Sequence, residues 1–150
     1  MKVADILKAK GAAVNAIKPT DTIAALSDML CERRVGAAVV TSDGRGLEGV
    51  ITERDILFAV GVHGPALASL PVSALMTRKV ITCTPRDSIA HVASTMQAHK
   101  FRHIPVVDED RIVGMISIRD VLNQRVDELQ QQAAHLRSFA TTDAVVQQDR

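Results

Sequence analysis

The pattern of apolar and polar positions runs along this chain twice. In the first pass, VADILKAKG (3–11) has apolar residues at helical spacing and predicts a short helix over 3–9, and Val14–Ile17 predicts a brief strand. Pro19-Thr20-Asp21-Thr22 then marks a helix start, where Asp or Thr can cap the orphan amides of the first turn. Ile23, Leu26, Met29 and Leu30 follow at helical spacing as a core face. Two apolar runs, Ala37–Thr41 and Leu47–Ile51, flank Ser42-Asp43-Gly44 and predict a hairpin. A hydroxyl residue, Thr52, comes next, and a second helix begins.

The second pass repeats this order. VSALMTRK (72–79) resembles VADILKAKG and predicts a helix over 72–77, with a strand at Val80–Thr82. Pro85-Arg86-Asp87-Ser88 opens a helix with Ile89, Val92 and Met96 on its apolar side. Ile104–Val107 and Ile112–Ile116 flank Asp108-Glu109-Asp110 as the second hairpin, and Ser117 precedes the last helix. The most direct echo is GVITERD (49–55) against GMISIRD (114–120). Matching VV to VV across the hairpins sets Gly36 opposite His103 and Ala38 opposite Pro105.

The pattern divides the chain into repeat 1 (1–62), a Gly- and Pro-bearing linker (63–71) and repeat 2 (72–125). A C-terminal helix (126–140) follows, with Val126, Leu129, Ala133 and Leu136 along one side, and then a tail (141–150) read as frayed and disordered.

Composition narrows the function classes. The core is aliphatic, with three Phe and neither Trp nor Tyr, so the stacking platforms of single-stranded nucleic-acid binders are missing. Eighteen basic and seventeen acidic residues are interspersed, with no basic stripe, which argues against a nucleic-acid partner. No apolar run reaches the length of a membrane span, and the charged N-terminus does not read as a signal peptide, so a cytoplasmic protein without membrane contact is expected. Cys31 and Cys83 are read as two unrelated buried thiols. A Gly-rich phosphate loop, a nucleophile triad and a metal cluster are not found, and the chain is not read as an enzyme. His99 and His103 have a metal-like spacing, but the helix is expected to end between them and no third ligand is near.

Two readings of the echoed heptapeptides stay open. Thr52-x-x-Asp55 and Ser117-x-x-Asp120 have the pattern of a helix capping box, which needs no ligand. Yet both copies use Asp rather than the longer Glu, Arg54 and Arg119 precede the aspartates, and Gly49 and Gly114 open the strands as if for a close backbone approach. A carboxylate at a helix N-terminus can accept from both hydroxyls of a ribose, and an adjacent guanidinium suits a phosphate.

The order β-α-β-β-α, present twice and ending each time in Gly, two apolar residues and Ser/Thr-x-x-Asp, resembles the CBS domain pair, or Bateman module. GVITERDIL, GMISIRDVL and FRHIPVVDEDRIVG carry the likeness. The resemblance implies an α/β (α+β) fold of tandem CBS repeats related by pseudo-two-fold symmetry, with two clefts between them. It implies adenosine ligands: AMP, ADP, ATP or NAD(H), with S-adenosylmethionine less favoured and no catalytic cofactor. Thr52, Arg54, Asp55, Ser117, Arg119 and Asp120 would grip ribose and phosphate, and Arg102 and His103 would meet phosphate. Thr20, Thr82 and Thr84 would border the ligand, and Ile116, with Ile51 and Val107, would flank the base. The resemblance also implies a homodimer that signals to an unidentified effector protein in trans. The alternative is an oligomerisation or protein-interaction module with vestigial clefts. Because the surroundings of the two corners differ, the two sites are expected to be unequal.

Overall fold

The computed structural model describes residues 1–11 and 13–148. Helix α1 (Val3–Lys10) leads to a two-residue strand β1 (Ala16–Ile17), helix α2 (Ile23–Arg33), strands β2 (Ala37–Val40) and β3 (Gly49–Thr52), and helix α3 (Glu53–His63). Two 3-10 segments, Gly64–Ser69 and Val72–Ala74, connect to α4 (Ile89–His99), β4 (His103–Asp108), β5 (Arg111–Ser117) and α5 (Ile118–Gln148).

The helix starts are set by side-chain caps. Thr22 accepts from the Ala25 amide at 3.2 Å and Ser88 from the His91 amide at 3.1 Å, so Thr22, not Thr20, caps α2. Both helices end the same way, with Arg34 (φ 52°) and Lys100 (φ 57°) in the left-handed conformation. The apolar faces then turn inward against the strands.

In repeat 1, β1 runs parallel to β2, and β2 pairs antiparallel with β3, Ala37 facing Thr52 and Val40 facing Gly49. In repeat 2 the antiparallel β4–β5 hairpin sets His103 opposite Ser117, with a bulge between Val106 and Val107. The counterpart of β1 shrinks to Cys83, bridging Val106. The predicted strand Val80–Thr82 does not form, and the predicted helix over 72–77 is a 3-10 turn.

The strand register corrects the repeat alignment by one residue. Thr52 and Ser117 are equivalent, so Ala37 matches His103 and Gly36 matches Arg102. Matching the VV dipeptides slips this register, because Val40 pairs with Gly49 while Val106, not Val107, pairs with the equivalent Gly114.

The repeats exchange their leading segments. One core joins Ile17, Ile23, Leu26, Leu30, Ala38, Val40 and Ile51 to Val72 and Met76, which come from the start of repeat 2. The other joins Cys83, Val92, Met96, Ile104, Val106 and Ile116 to Val3 and Ile6 of α1. Backbone bonds fasten both exchanges: Val3 N donates to Asp87 O at 2.9 Å, and Thr77 N to Val50 O at 2.9 Å. This reciprocity expresses the pseudo-two-fold relation, and it means that the linear boundaries at 62 and 72 are not the boundaries of the cores.

The same exchange explains two glycines. A Cβ on Gly49 would lie 2.8 Å from the Thr77 carbonyl oxygen, and one on Gly114 would lie 2.5 Å from Leu7 Cδ2. The close approach expected at these positions is therefore made by the protein's own exchanged segments. Cys31 is exposed, not buried, because it sits on the outer side of α2. Helix α5 is continuous from Ile118 to Gln148, without a break at 126 or loss of helix from 141; residues 149–150 lie outside the described residues.

Candidate functional site

A cleft of about 380 Å³ lies where the repeats meet. The β3–α3 corner of repeat 1 supplies Thr52, Glu53, Arg54 and Asp55; the segment after the 3-10 turn supplies Lys79, Val80 and Ile81; the α4–β4 connection supplies Lys100, Phe101, Arg102 and His103. Neither repeat could form it alone.

The corner is built by the cap. Thr52 Oγ1 accepts from the Asp55 amide at 3.3 Å, and the Thr52 amide donates to Asp55 Oδ2 at 2.9 Å. Both halves of a capping box are present, so the structural reading of this motif is correct. The cap also fixes Asp55 in the lining of the cleft, and among the described residues only its Oδ2 is hydrogen-bonded. Around that carboxylate the lining carries Arg54, Lys79, Lys100 and Arg102, an excess of positive charge set against Glu53 and Asp55. Burial holds the His103 imidazole below its usual range; Glu53 works against this and Arg102 reinforces it.

The symmetry-related corner has the same cap and a different occupant. The Ser117 amide donates to Asp120 Oδ2 at 2.8 Å, and Ser117 Oγ accepts from the Asp120 amide at 3.2 Å. Lys10, at the end of α1, places its ammonium 2.7 Å from Asp120 Oδ2 and 2.8 Å from the Met115 carbonyl. Burial raises the Asp120 carboxyl, but the Lys10 ammonium and the Ser117 amide outweigh it and hold the group below the ordinary carboxylate range. Lys79 is the repeat-2 counterpart of Lys10, and it lines the first cleft without an ion pair among the described residues. The loop facing the second corner also differs, since Gly36 and Ala37 stand where the first cleft has Arg102 and His103.

Of the residues singled out in the sequence, the structure gathers Thr52, Arg54, Asp55, Arg102 and His103 in one cleft. Ser117, Arg119 and Asp120 belong to the other corner. Thr20, Thr82 and Thr84 are exposed and outside the lining; the Thr84 amide donates to Asp87 Oδ2 at 2.7 Å, an ordinary turn bond. Ile116 is fully buried in the second core, as Ile51 is in the first, so both pack the interior instead of flanking a base. Lys79, Ile81, Lys100 and Phe101 were missed. Lys100 and Phe101 adjoin Arg102 in the basic stretch KFRH, a signal that was available; Lys79 needed the exchange to be known.

Cys83 is buried, and burial, with the Asp87 carboxylate adding, pushes its thiol up to about 12, away from the reactive thiolate form. Helix α4 ends at His99, and the described residues contain no group of three or more metal-binding side chains. Among the described residues, no helix is long and apolar enough to cross a membrane.

The family model of the CBS domain matches residues 3–62 and again 72–127. The chain is a CBS domain protein. It is 32% identical over 145 residues to the mitochondrial CBS domain-containing protein CBSX3 of Arabidopsis thaliana, spanning 91% of this chain and 70% of that one. Among solved structures, the CBS-domain protein ATU1752 of Agrobacterium tumefaciens superposes with a TM-score of 0.80 at 35% identity, over 83% of this chain and 92% of that one. The CBS domain pair of protein MJ0100, solved with 5′-methylthioadenosine and S-adenosyl-L-methionine, superposes at 0.74 with 25% identity, over 83% and 98% of the two chains. CBS domain pairs are in general regulatory modules that bind adenosine-containing ligands, and are not catalysts.

Proposed function

We propose that this CBS pair is a cytoplasmic adenine-nucleotide sensor that binds through the first cleft and signals to an effector protein in trans. The observation that carries the reading is the convergence of Asp55 with four cationic side chains from both repeats in one cleft. Its volume, about 380 Å³, lies at the lower end of small-molecule sites and suits a compact ligand. Asp55 would accept from the ribose hydroxyls, Lys100 and Arg102 would meet phosphate, and Val80, Ile81 and Phe101 would offer an apolar wall to the base. AMP, ADP, ATP and NAD(H) fit this charge. S-adenosylmethionine ranks below them, because its sulfonium and ammonium would face the same cations.

A ligand held by both repeats favours one arrangement of the pair by no more than its differential affinity for the two arrangements. In a homodimer that difference would reach the partner's surface, and Leu57 and Phe58, 70% and 71% exposed on α3, supply an apolar face for such contact.

A thermal-shift panel with AMP, ADP, ATP, NAD, NADH and S-adenosylmethionine tests the assignment. A ligand at about a hundred times its dissociation constant stabilises by roughly 2.7 kcal/mol. No shift from any of them, with no small molecule released from denatured protein by mass spectrometry, would leave the second reading: an interaction module with vestigial clefts. The Lys10 contact that fills the second corner is the observation in favour of that alternative.

A further inference from the structure

Helix α5 outlasts the domain it belongs to. Its first turn packs through Val121 into the second core, and from residue 129 to 142 every position is exposed. Those fourteen residues correspond to about 21 Å of helix. A solvated helix of this length is marginal in water even with good helix formers such as the Ala, Leu, Gln and Arg found here, and packing is the usual source of its stability.

One row of apolar residues on it, with Ala134 and Phe139 lying beside the row, keeps a spacing of four, three, four, three and four: Leu122, Val126, Leu129, Ala133, Leu136 and Ala140. Leu122, Val126, Leu129 and Leu136 are 58%, 51%, 49% and 68% exposed, so their own chain does not cover them. Each row, 122/129/136 and 126/133/140, repeats every seven residues, two layers per heptad as in a supercoiled helix pair. The two kinds of position are also sorted. Leucine holds every d position (122, 129, 136), while β-branched or small residues hold every a position (126, 133, 140). Leucine at d with a β-branched residue at a favours parallel two-stranded pairing, and alanine at a lets the helices approach closely.

We infer that residues 122–140 of α5 form a parallel, in-register coiled coil with α5 of a second copy of this chain. The sorted layers fit that occupant, because in register each layer meets its own kind, leucine on leucine and small residue on small residue. The flanking positions agree: Arg125 and Arg137 would face Gln130 and Gln132 of the other helix, so like charges are not opposed. The pairing names a surface for the homodimer proposed above, but it rests on α5 alone and not on the nucleotide reading.

Disulfide trapping on the full chain tests it, in a Cys31→Ser background that removes the exposed native thiol. Leu129→Cys and Leu136→Cys should each oxidise almost completely to a covalent dimer, while Gln131→Cys, on the outer face, should link at least tenfold less. Only a parallel, in-register pair links both leucine positions to themselves. Equal linking at all three positions, or none at the leucines, would overturn the inference. Hydrogen exchange on the Leu129→Glu/Leu136→Glu double variant supplies a second readout: residues 126–140 should lose protection while the strands keep theirs. Unchanged protection there, or unprotected wild type, would also overturn it. A nucleotide thermal shift that persists in the double variant shows that the sensing site stands independently of the seam.

Discussion

The Lys10 ammonium lies 2.7 Å from Asp120 Oδ2, in the corner that corresponds by symmetry to the one Asp55 presents to the open cleft. One repeat thus uses its exchanged leading segment to fill its neighbour's corner; the other leaves the equivalent lysine, Lys79, at the rim of the open cleft. The two corners share a backbone and a cap but not a state of occupancy.

Removing the filler should open the second corner. Lys10→Ala is expected to raise the number of nucleotides bound per chain above the wild-type value, read by calorimetric titration. The cost in stability should stay under about 1 kcal/mol, because Lys10 is 36% exposed and solvent screens the pair. The depressed Asp120 carboxyl contributes stability above its unfolded value of about 3.9, and that contribution is lost as pH falls through its lower folded value. Lys10→Ala should therefore flatten the acid limb of the stability curve, as measured by urea unfolding at a series of pH values.

Asp55→Asn tests the proposed ribose grip while leaving the cap a side-chain oxygen. Affinity for the responding nucleotide should fall at least tenfold, with helix content unchanged. Asp55→Ala should weaken binding similarly and also cost about 1 kcal/mol of stability through the lost cap. Wild-type affinity retained in both variants would return the Thr52–Asp55 motif to a purely structural role.

The two strand-opening glycines are not equally replaceable. Gly49→Ala drives a methyl into the Thr77 backbone carbonyl, whereas Gly114→Ala meets the movable end of Leu7. The first should cost about 1–3 kcal/mol and the second clearly less, measured by denaturant unfolding.

His103 is half-buried, with Glu53, Arg102, Asp120 and Lys10 contributing to its environment, and burial lowers its imidazole below 6.5. In the free protein this favours the neutral ring, so stability falls as pH drops through the unfolded value of about 6.5. A bound phosphate would favour the protonated ring, so binding should take up a proton. Affinity should then rise as pH falls through the bound value and level off below the free value. His103→Gln should remove that part of the slope in titrations run in two buffers of different ionisation enthalpy.

The repeat order, both hairpins, both capping boxes and a difference in the surroundings of the two corners were legible in the sequence, because each depends on local pattern. Thr52, Asp55, Arg102 and His103 converge as the motif implied. What escaped depends on the path of the chain. The exchange that puts Met76 beneath Gly49 and Leu7 beneath Gly114 has no signature in the periodicity of either segment. Lys10 and Lys79 had no role assigned from the sequence for the same reason. The one-residue slip at Gly36 came from matching two VV dipeptides that stand one residue apart in the strand register. Ile116 was ambiguous in the sequence because an apolar residue beside a binding motif serves the core or a base equally well, and in the structure it is fully buried.

The central claim is one competent nucleotide cleft per chain, at the Asp55 corner. It is tested most directly by calorimetric titration of ligand-free protein with whichever nucleotide gives the largest thermal shift, in wild type, Asp55→Asn and Asp120→Asn. The account predicts one site per chain in wild type, its loss in Asp55→Asn and its retention in Asp120→Asn. Two equivalent sites in wild type, or loss of binding in Asp120→Asn with Asp55→Asn unaffected, would contradict it.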